Sequence, residues 1–338
     1  MENEKIIMIF KRFAELEAKG NSVLYSYWSN EILSDERLIS LISKMPQSQP
    51  KPNLFFASVQ WLALQKKHEL FQVFMHPEAA NLEESFRLLK QLCSEYENEL
   101  IQLFHTRLVQ TNEINRASYL YPIFAEIYQS IKKPLTLIEI GTSAGILLGV
   151  DLFNYEITEG NNTKILGDSS SDITIRSINN GQPLNISNEL VIQNRIGIDL
   201  NIIQLEHEDD YRWMQSLIWP EHKERKALLE KIKDVNINCS KTLVEGDFLE
   251  IIPNYLEIRN DDSQIVIFHT HVANQFSNEL KESLLTMIRQ LSRNVPLYHV
   301  YNNMYDTNLH VDLIKQGSII NLKELKNTDG HGKYFSWN

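Results

Sequence analysis

The apolar positions of this chain change period part-way along it. Ile6, Ile7, Phe10, Phe13 and Leu16 recur at helical spacing, as do Leu38, Ile39, Leu41 and Ile42, and later Phe86, Leu89, Leu92, Tyr96 and Leu100. Leu54 to Lys66 predicts another apolar helix. Leu100 to Ser130 predicts one long helix, or two interrupted near Pro122. Pro46 to Asn53 carries three prolines and predicts a loop. A single glycine, Gly20, occurs in the first 130 residues, which suits helices better than sheets. From about residue 134 the texture becomes strand-like: Leu135 to Ile140, Asn194 to Leu200, Thr242 to Glu245, Gln264 to His269 and Val295 to Tyr301 are short apolar runs separated by helical or irregular segments. That alternation predicts a parallel, doubly wound sheet. Tyr155 to Ser187 is rich in Asn, Ser, Thr, Gly and Asp, with a turn signal at Asn179-Asn180-Gly181, and predicts an inserted hairpin or long loop. The expected organisation is an all-α region over 1–130 and an α/β domain over 131–338, with an insertion at about 155–190.

Composition narrows the partners. The chain has 338 residues, a hydrophobic share of 43% and a net charge of −11. An acidic surface repels phosphate backbones, so nucleic acid is disfavoured. Cys93 and Cys239 stand far apart in no metal or disulfide pattern, which fits a reducing compartment. The first residues are acidic and the apolar run after them, Ile6 to Phe10, is too short for a signal peptide. No apolar stretch approaches the ~20 residues of a membrane span. The expectation is a soluble cytoplasmic protein that acts on a small molecule.

The segment Leu137 to Leu148 reads as a buried strand, a turn of small residues and a helix start, which would place backbone N–H groups at a helix N-terminus. Its letters fit two chemistries. Glu139-x-Gly141-x-Ser143-x-Gly145 is close to the nucleoside-binding loop of class I methyltransferases, and Gly141-x-Ser143-x-Gly145 is also the nucleophile elbow of an α/β-hydrolase. Asp199 and Leu200 stand where a second strand would stop, and a carboxylate there accepts from ribose hydroxyls. Asp199 follows Gly145 by 54 residues, where about 20 is usual, a real departure for which the insertion is the expected cause. Gly246-Asp247-Phe248 has the pattern that lines an adenine, or else Asp247 simply caps a helix. His269, His271 and Asn274 follow the fourth strand. A histidine there can shuttle a proton; His-x-His with no obvious third ligand leaves a metal unexpected. Upstream, Gln110, Glu113 and Arg116 would share one helical face, either solvated or turned to a substrate. The tryptophans of Asp210 to Pro220 read as core.

Taken together, Gln110-Thr111-Asn112-Glu113-x-x-Arg116, Glu139-x-Gly141-x-Ser143-Ala144-Gly145, Gly197-x-Asp199-Leu200, Trp213, Ile218-Trp219-Pro220 and Gly246-Asp247 resemble the bacterial family catalogued as domain of unknown function 2332. Ser22 to Tyr25 and Asn53 to Ala57 fit its pattern as well. The resemblance covers nearly the whole chain. It implies a Rossmann-like, class I methyltransferase-type domain behind a helical region, with no settled reaction.

The resulting expectation is an S-adenosylmethionine-dependent methyltransferase. Glu139, Gly141, Ser143, Gly145, Asp199, Leu200, Asp247 and Phe248 would hold the cofactor. Gln110, Asn112 and Arg116 would hold a small substrate, and His269, His271 or Glu113 would take the proton. Two alternatives stand beside it. One is a serine hydrolase built on Ser143 with Asp199 or Asp247 and His299, His310 or His331. It is weakened by the helical character of everything before residue 134, because the elbow normally follows several strands. The other is a non-catalytic binder of a nucleoside metabolite.

Overall fold

The computed structural model describes residues 2–110, 112–259 and 261–338; Thr111 of the upstream motif lies outside them. The chain forms two compact units, one of residues 1–111 with 206–229, the other of 112–205 with 230–338. The division therefore falls earlier than residue 130, and a later segment returns to the first unit.

The first unit is helical: α1 (Glu2–Phe13), α2 (Val23–Ile32), α3 (Glu36–Ser43), α4 (Lys51–Gln65), α5 (Leu70–Met75), α6 (Leu82–Glu95) and α7 (Glu97–Thr106). The next helix, α8 (Ala117–Ile131), belongs to the second unit, α9 (Glu208–Leu217) to the first, and α10 (Lys223–Asn238) contributes residues to both. The expected proline loop is shorter than its sequence suggests. Pro50 is the N-cap of α4 and Pro52 sits in its first turn, where a missing N–H costs nothing. The core is aromatic. Tyr25 stacks on Phe56 at 4.3 Å, and Ser22 caps α2 by accepting from Tyr25 N–H while its hydroxyl donates to Glu221. Trp213 is 2% exposed and donates its indole N–H to Leu108 O, so the tryptophan segment is core.

The second unit holds two sheets. Its strands are β1 (Leu135–Ile140), β2 (Asn154–Glu159), β3 (Asn162–Gly167), β4 (Thr174–Asn179), β5 (Ile192–Asp199), β6 (Thr242–Glu245), β7 (Gln264–His269), β8 (Leu297–Tyr301), β9 (Leu309–Lys315), β10 (Ser318–Leu325) and β11 (Tyr334–Phe335). The larger sheet runs β10-β9-β8-β7-β1-β5-β6. The five strands from β6 to β8 are parallel; β9 and β10 are antiparallel additions at one edge. All six residues of β1 are buried, as expected of a parallel strand covered on both faces. Two further helices, α11 (Phe248–Ile258) and α12 (Asn278–Leu291), pack Phe248, Ile252, Leu284 and Ile288 against Ile138, Ile196 and Ile267. This is a mixed α/β sheet compatible with a Rossmann-like fold. Strand order reverses between β1 and β7, where such sheets open a crevice at their carboxyl ends.

Three expectations need correction. No α-helix follows the small-residue turn. Leu147–Leu152 is a short 3-10 segment with non-helical backbone at Gly149. The physical reason is competition for carbonyls: Arg195 donates to Leu148 O and Tyr155 to Val150 O, removing acceptors a helix would use. Second, the break between Leu100 and Ser130 is not at Pro122, which lies inside α8. It lies after Thr106, where Gln49 accepts the Val109 N–H and Trp213 holds Leu108 O. Third, the insertion is a four-stranded sheet, β11-β4-β2-β3. The C-terminal tail completes it, with Gly332 O accepting from Ser118 and Ser177.

Gly197 of β5 is required by packing. A Cβ there would lie 2.5 Å from Thr142 Oγ1 and 2.7 Å from Leu243 Cδ2. Overpacking of this kind costs about 1–3 kcal/mol. Gly197→Ala is therefore expected to lower the unfolding free energy by that amount, read as a lower urea midpoint at unchanged slope by tryptophan fluorescence.

Candidate functional site

The turn after β1 is tied to its neighbours rather than left open. Gly141 (φ +74°), Ser143 (φ +51°) and Gly145 (φ +67°) all take left-handed backbone. Gly141 N–H and Thr142 N–H donate to Ile198 O, Gly145 N–H to Thr142 O, and Ser143 N–H to Asp199 Oδ2 at 2.8 Å. A Cβ at Gly141 would meet Val272 at 2.7 Å, and one at Gly145 would meet Leu243 at 2.8 Å. The glycines are thus demanded by protein packing. The expected cradle of backbone donors for an anion does not form, because four of its N–H groups are already spent and no α-helix N-terminus stands behind it.

Glu139 at the end of β1 is 4% exposed and accepts from Thr142 Oγ1 at 2.6 Å. Burial pushes its carboxyl up to about 8, with Asp199 adding to the rise, while the Thr142 hydroxyl and Arg116 pull the other way. It is a protonated, internal group near neutrality rather than a ligand-facing carboxylate.

Asp199 closes β5. Its carboxylate accepts from Ser143 N–H and from Asn201 N–H at 3.0 Å. Beside it Leu200 is 78% exposed. Asp247, beyond the end of β6, is exposed and caps α11 by accepting from Leu249 N–H at 2.8 Å. Phe248, expected to cover a ring, is instead core and stacks on Phe276.

A second group gathers where the strand order reverses. Asn112 donates to Ser143 Oγ at 2.9 Å. Glu113, 4% exposed, pairs with His331 Nδ1 at 2.8 Å. Arg116, 7% exposed, donates through Nε to Gly330 O at 2.9 Å. His271, in left-handed backbone, donates its N–H to Asn302 Oδ1 and packs its ring on Gly330. Burial holds this imidazole down at about 4, with the positive charge of Arg116 assisting, so it is neutral near pH 7. Glu113 is extended and only Ile114–Arg116 forms a 3-10 turn. The shared helical face of Gln110, Glu113 and Arg116 therefore does not exist, and half-exposed Gln110 belongs to the other unit.

His269 is fully buried. Its Nε2 meets His299 Nε2 at 3.1 Å, and burial drives its imidazole down to about 3. The imidazole is therefore neutral near pH 7 and enclosed in the interior. Among the described residues, Ser143 Oγ is met by Asn112, while His299, His310 and His331 pair with His269, Asp306 and Glu113. Sequence reasoning named His331 for a serine triad and missed Asn302, which carries no spacing signal.

The family model described as "Uncharacterized protein conserved in bacteria (DUF2332)" matches residues 8–337, and the chain belongs to that family. No curated protein matches it.

The buried carboxyl sets a pH dependence. Because Glu139 holds its proton more tightly folded than unfolded, the folded state binds more protons between about 4.5 and about 8. Its contribution to stability therefore falls as pH rises through that window and levels off above it. Glu139→Gln is expected to lose this fall, so that its stability relative to the native chain improves from pH 5 to pH 8 in parallel denaturant titrations. Parallel curves for the two proteins would refute the assignment.

Proposed function

We propose that the second unit binds a phosphate-free nucleoside cofactor of the S-adenosylmethionine type and methylates a small molecule. The observation that carries the reading is the shelf formed by Asp199 and the exposed Leu200 beside the turn after β1. A carboxylate at the tip of β5 suits ribose hydroxyls, and an apolar side chain open to solvent suits a purine face. The spent N–H groups of the turn add a restriction. A loop with four of its donors spent is poorly suited to a pyrophosphate, which favours a nucleoside over a dinucleotide. A cationic sulfonium also suits a chain of net charge −11.

Asp199, Leu200 and Asp247 would hold the nucleoside; when bound, the cofactor supplies an electrophilic methyl group. The chain's own contribution is positional and electrostatic. Glu113 fixes His331 through Nδ1, leaving its other nitrogen to accept a proton, and His331 keeps a half-exposed side chain. Neutral His271 is the second available acceptor. Asn112 and Arg116 border the same crevice as substrate contacts.

Calorimetric titration tests the reading. S-adenosylmethionine and S-adenosylhomocysteine are expected to bind with micromolar affinity and ATP to give no heat. Leu200→Arg, at an exposed position, is expected to weaken binding at least tenfold without loss of fold, and Asp199→Ala to abolish it. Absence of heat with both ligands, or equal binding by the Leu200→Arg protein, would overturn it.

A further inference from the structure

We propose that Asp306, His310 and Glu324 form a binding site for a divalent transition-metal ion. One donor atom from each of the three lies within 4.8 Å of the other two. Small side-chain rotations from this spacing bring all three donors to bonds of about 2.0–2.2 Å on one ion. An imidazole nitrogen with two carboxylate oxygens suits zinc, manganese or ferrous iron.

The scaffold sets this spacing. His310 and Glu324 are direct partners across the antiparallel β9–β10 pair. Asp306 enters from the preceding loop, its Oδ1 2.9 Å from His310 Nε2. Surrounding groups hold the donors in place. Tyr301 stacks on the His310 ring at 5.0 Å and 14°, and its hydroxyl donates to Asp312 at 3.0 Å. Asn308 donates its side-chain amide to Glu324 Oε1 at 2.6 Å and its backbone N–H to Asp306 Oδ1 at 2.8 Å. Orientation of ligands by a surrounding hydrogen-bonded layer is what metal sites require.

Charge points the same way. Among the described residues the ionic partner of Asp306 is His310, and Glu324 is met by an amide rather than by Lys or Arg. Asp312, two residues along β9 from His310, adds a third carboxylate nearby. Carboxylates brought together without a fixed cation repel each other, and a bound divalent ion would relieve this.

The cluster also lies at the carboxyl end of β8, the end at which open α/β sheets place ligands. The loop that carries Asp306 and Asn308 begins with Asn302, whose side chain holds His271 N–H. An ion bound here would brace that loop. The inference does not depend on the cofactor reading.

The test uses the full chain after treatment with a chelator, titrated with Zn²⁺ and Mn²⁺ by calorimetry. One equivalent is expected to bind, at least tenfold more weakly in Glu324→Gln and not at all in His310→Ala, with circular dichroism reporting the fold of each. Substoichiometric Mn²⁺ is expected to broaden the His310 ring signals in NMR spectra before those of other histidines. No binding, or undiminished binding by the folded Glu324→Gln protein, would overturn the site. That variant decides the matter if His310→Ala fails to fold.

Discussion

The hydrogen bond from Ser143 N–H to Asp199 Oδ2 is the contact around which the second unit's upper edge is arranged. It joins the turn after β1 to the tip of β5, two segments 56 residues apart in sequence. With it in place, Ser143 sits in left-handed backbone, a conformation that costs a non-glycine residue on the order of 1 kcal/mol or more. A charged acceptor is among the stronger partners a backbone donor can find, which is why the strained turn persists. The neighbouring constraints follow. Gly197 must lack a side chain so that Thr142 can pack against β5, and Thr142 in turn holds buried Glu139.

This arrangement separates two roles that one motif suggested together. The glycines of the turn answer to Val272 and Leu243, and its amides to Ile198, Thr142 and Asp199. The turn is scaffold. The surface proposed for a ligand is beside it, on Asp199 and Leu200, and on the far side around Glu113, Arg116, His271 and His331. The β8–β9 loop connects that second group to the Asp306, His310 and Glu324 cluster through Asn302.

How much of this was legible in the sequence depends on whether the deciding contacts are local. The parallel strands were readable because burial on both faces writes itself as continuous apolar runs, as in Leu135 to Ile140. The tight hairpin of β9 and β10 carried a weaker signal, the alternation around His310 and Asp312 and the turn at Gln316-Gly317, and it went unread. The segment after β1 was misread as a helix because Arg195 and Tyr155 capture its carbonyls from elsewhere. The face of Gln110, Glu113 and Arg116 failed for a similar reason: Gln49 and Trp213 satisfy the backbone just before it. The Glu113–His331 pair spans 218 positions, a distance at which no pattern of spacing predicts contact. Residue types at strand tips were informative; their partners were not.

The most direct test of the account is amide hydrogen exchange over the peptide containing Gly141 to Gly145, compared between the native chain and Asp199→Asn. The account predicts slow exchange at Gly141, Thr142, Ser143 and Gly145 in the native chain. In the variant, exchange at Ser143 should accelerate by an order of magnitude or more while β1 and β7 stay protected. Rapid exchange of these amides in the native chain, or an unchanged Ser143 rate in the variant, would contradict the claim that Asp199 holds the turn through Ser143 N–H.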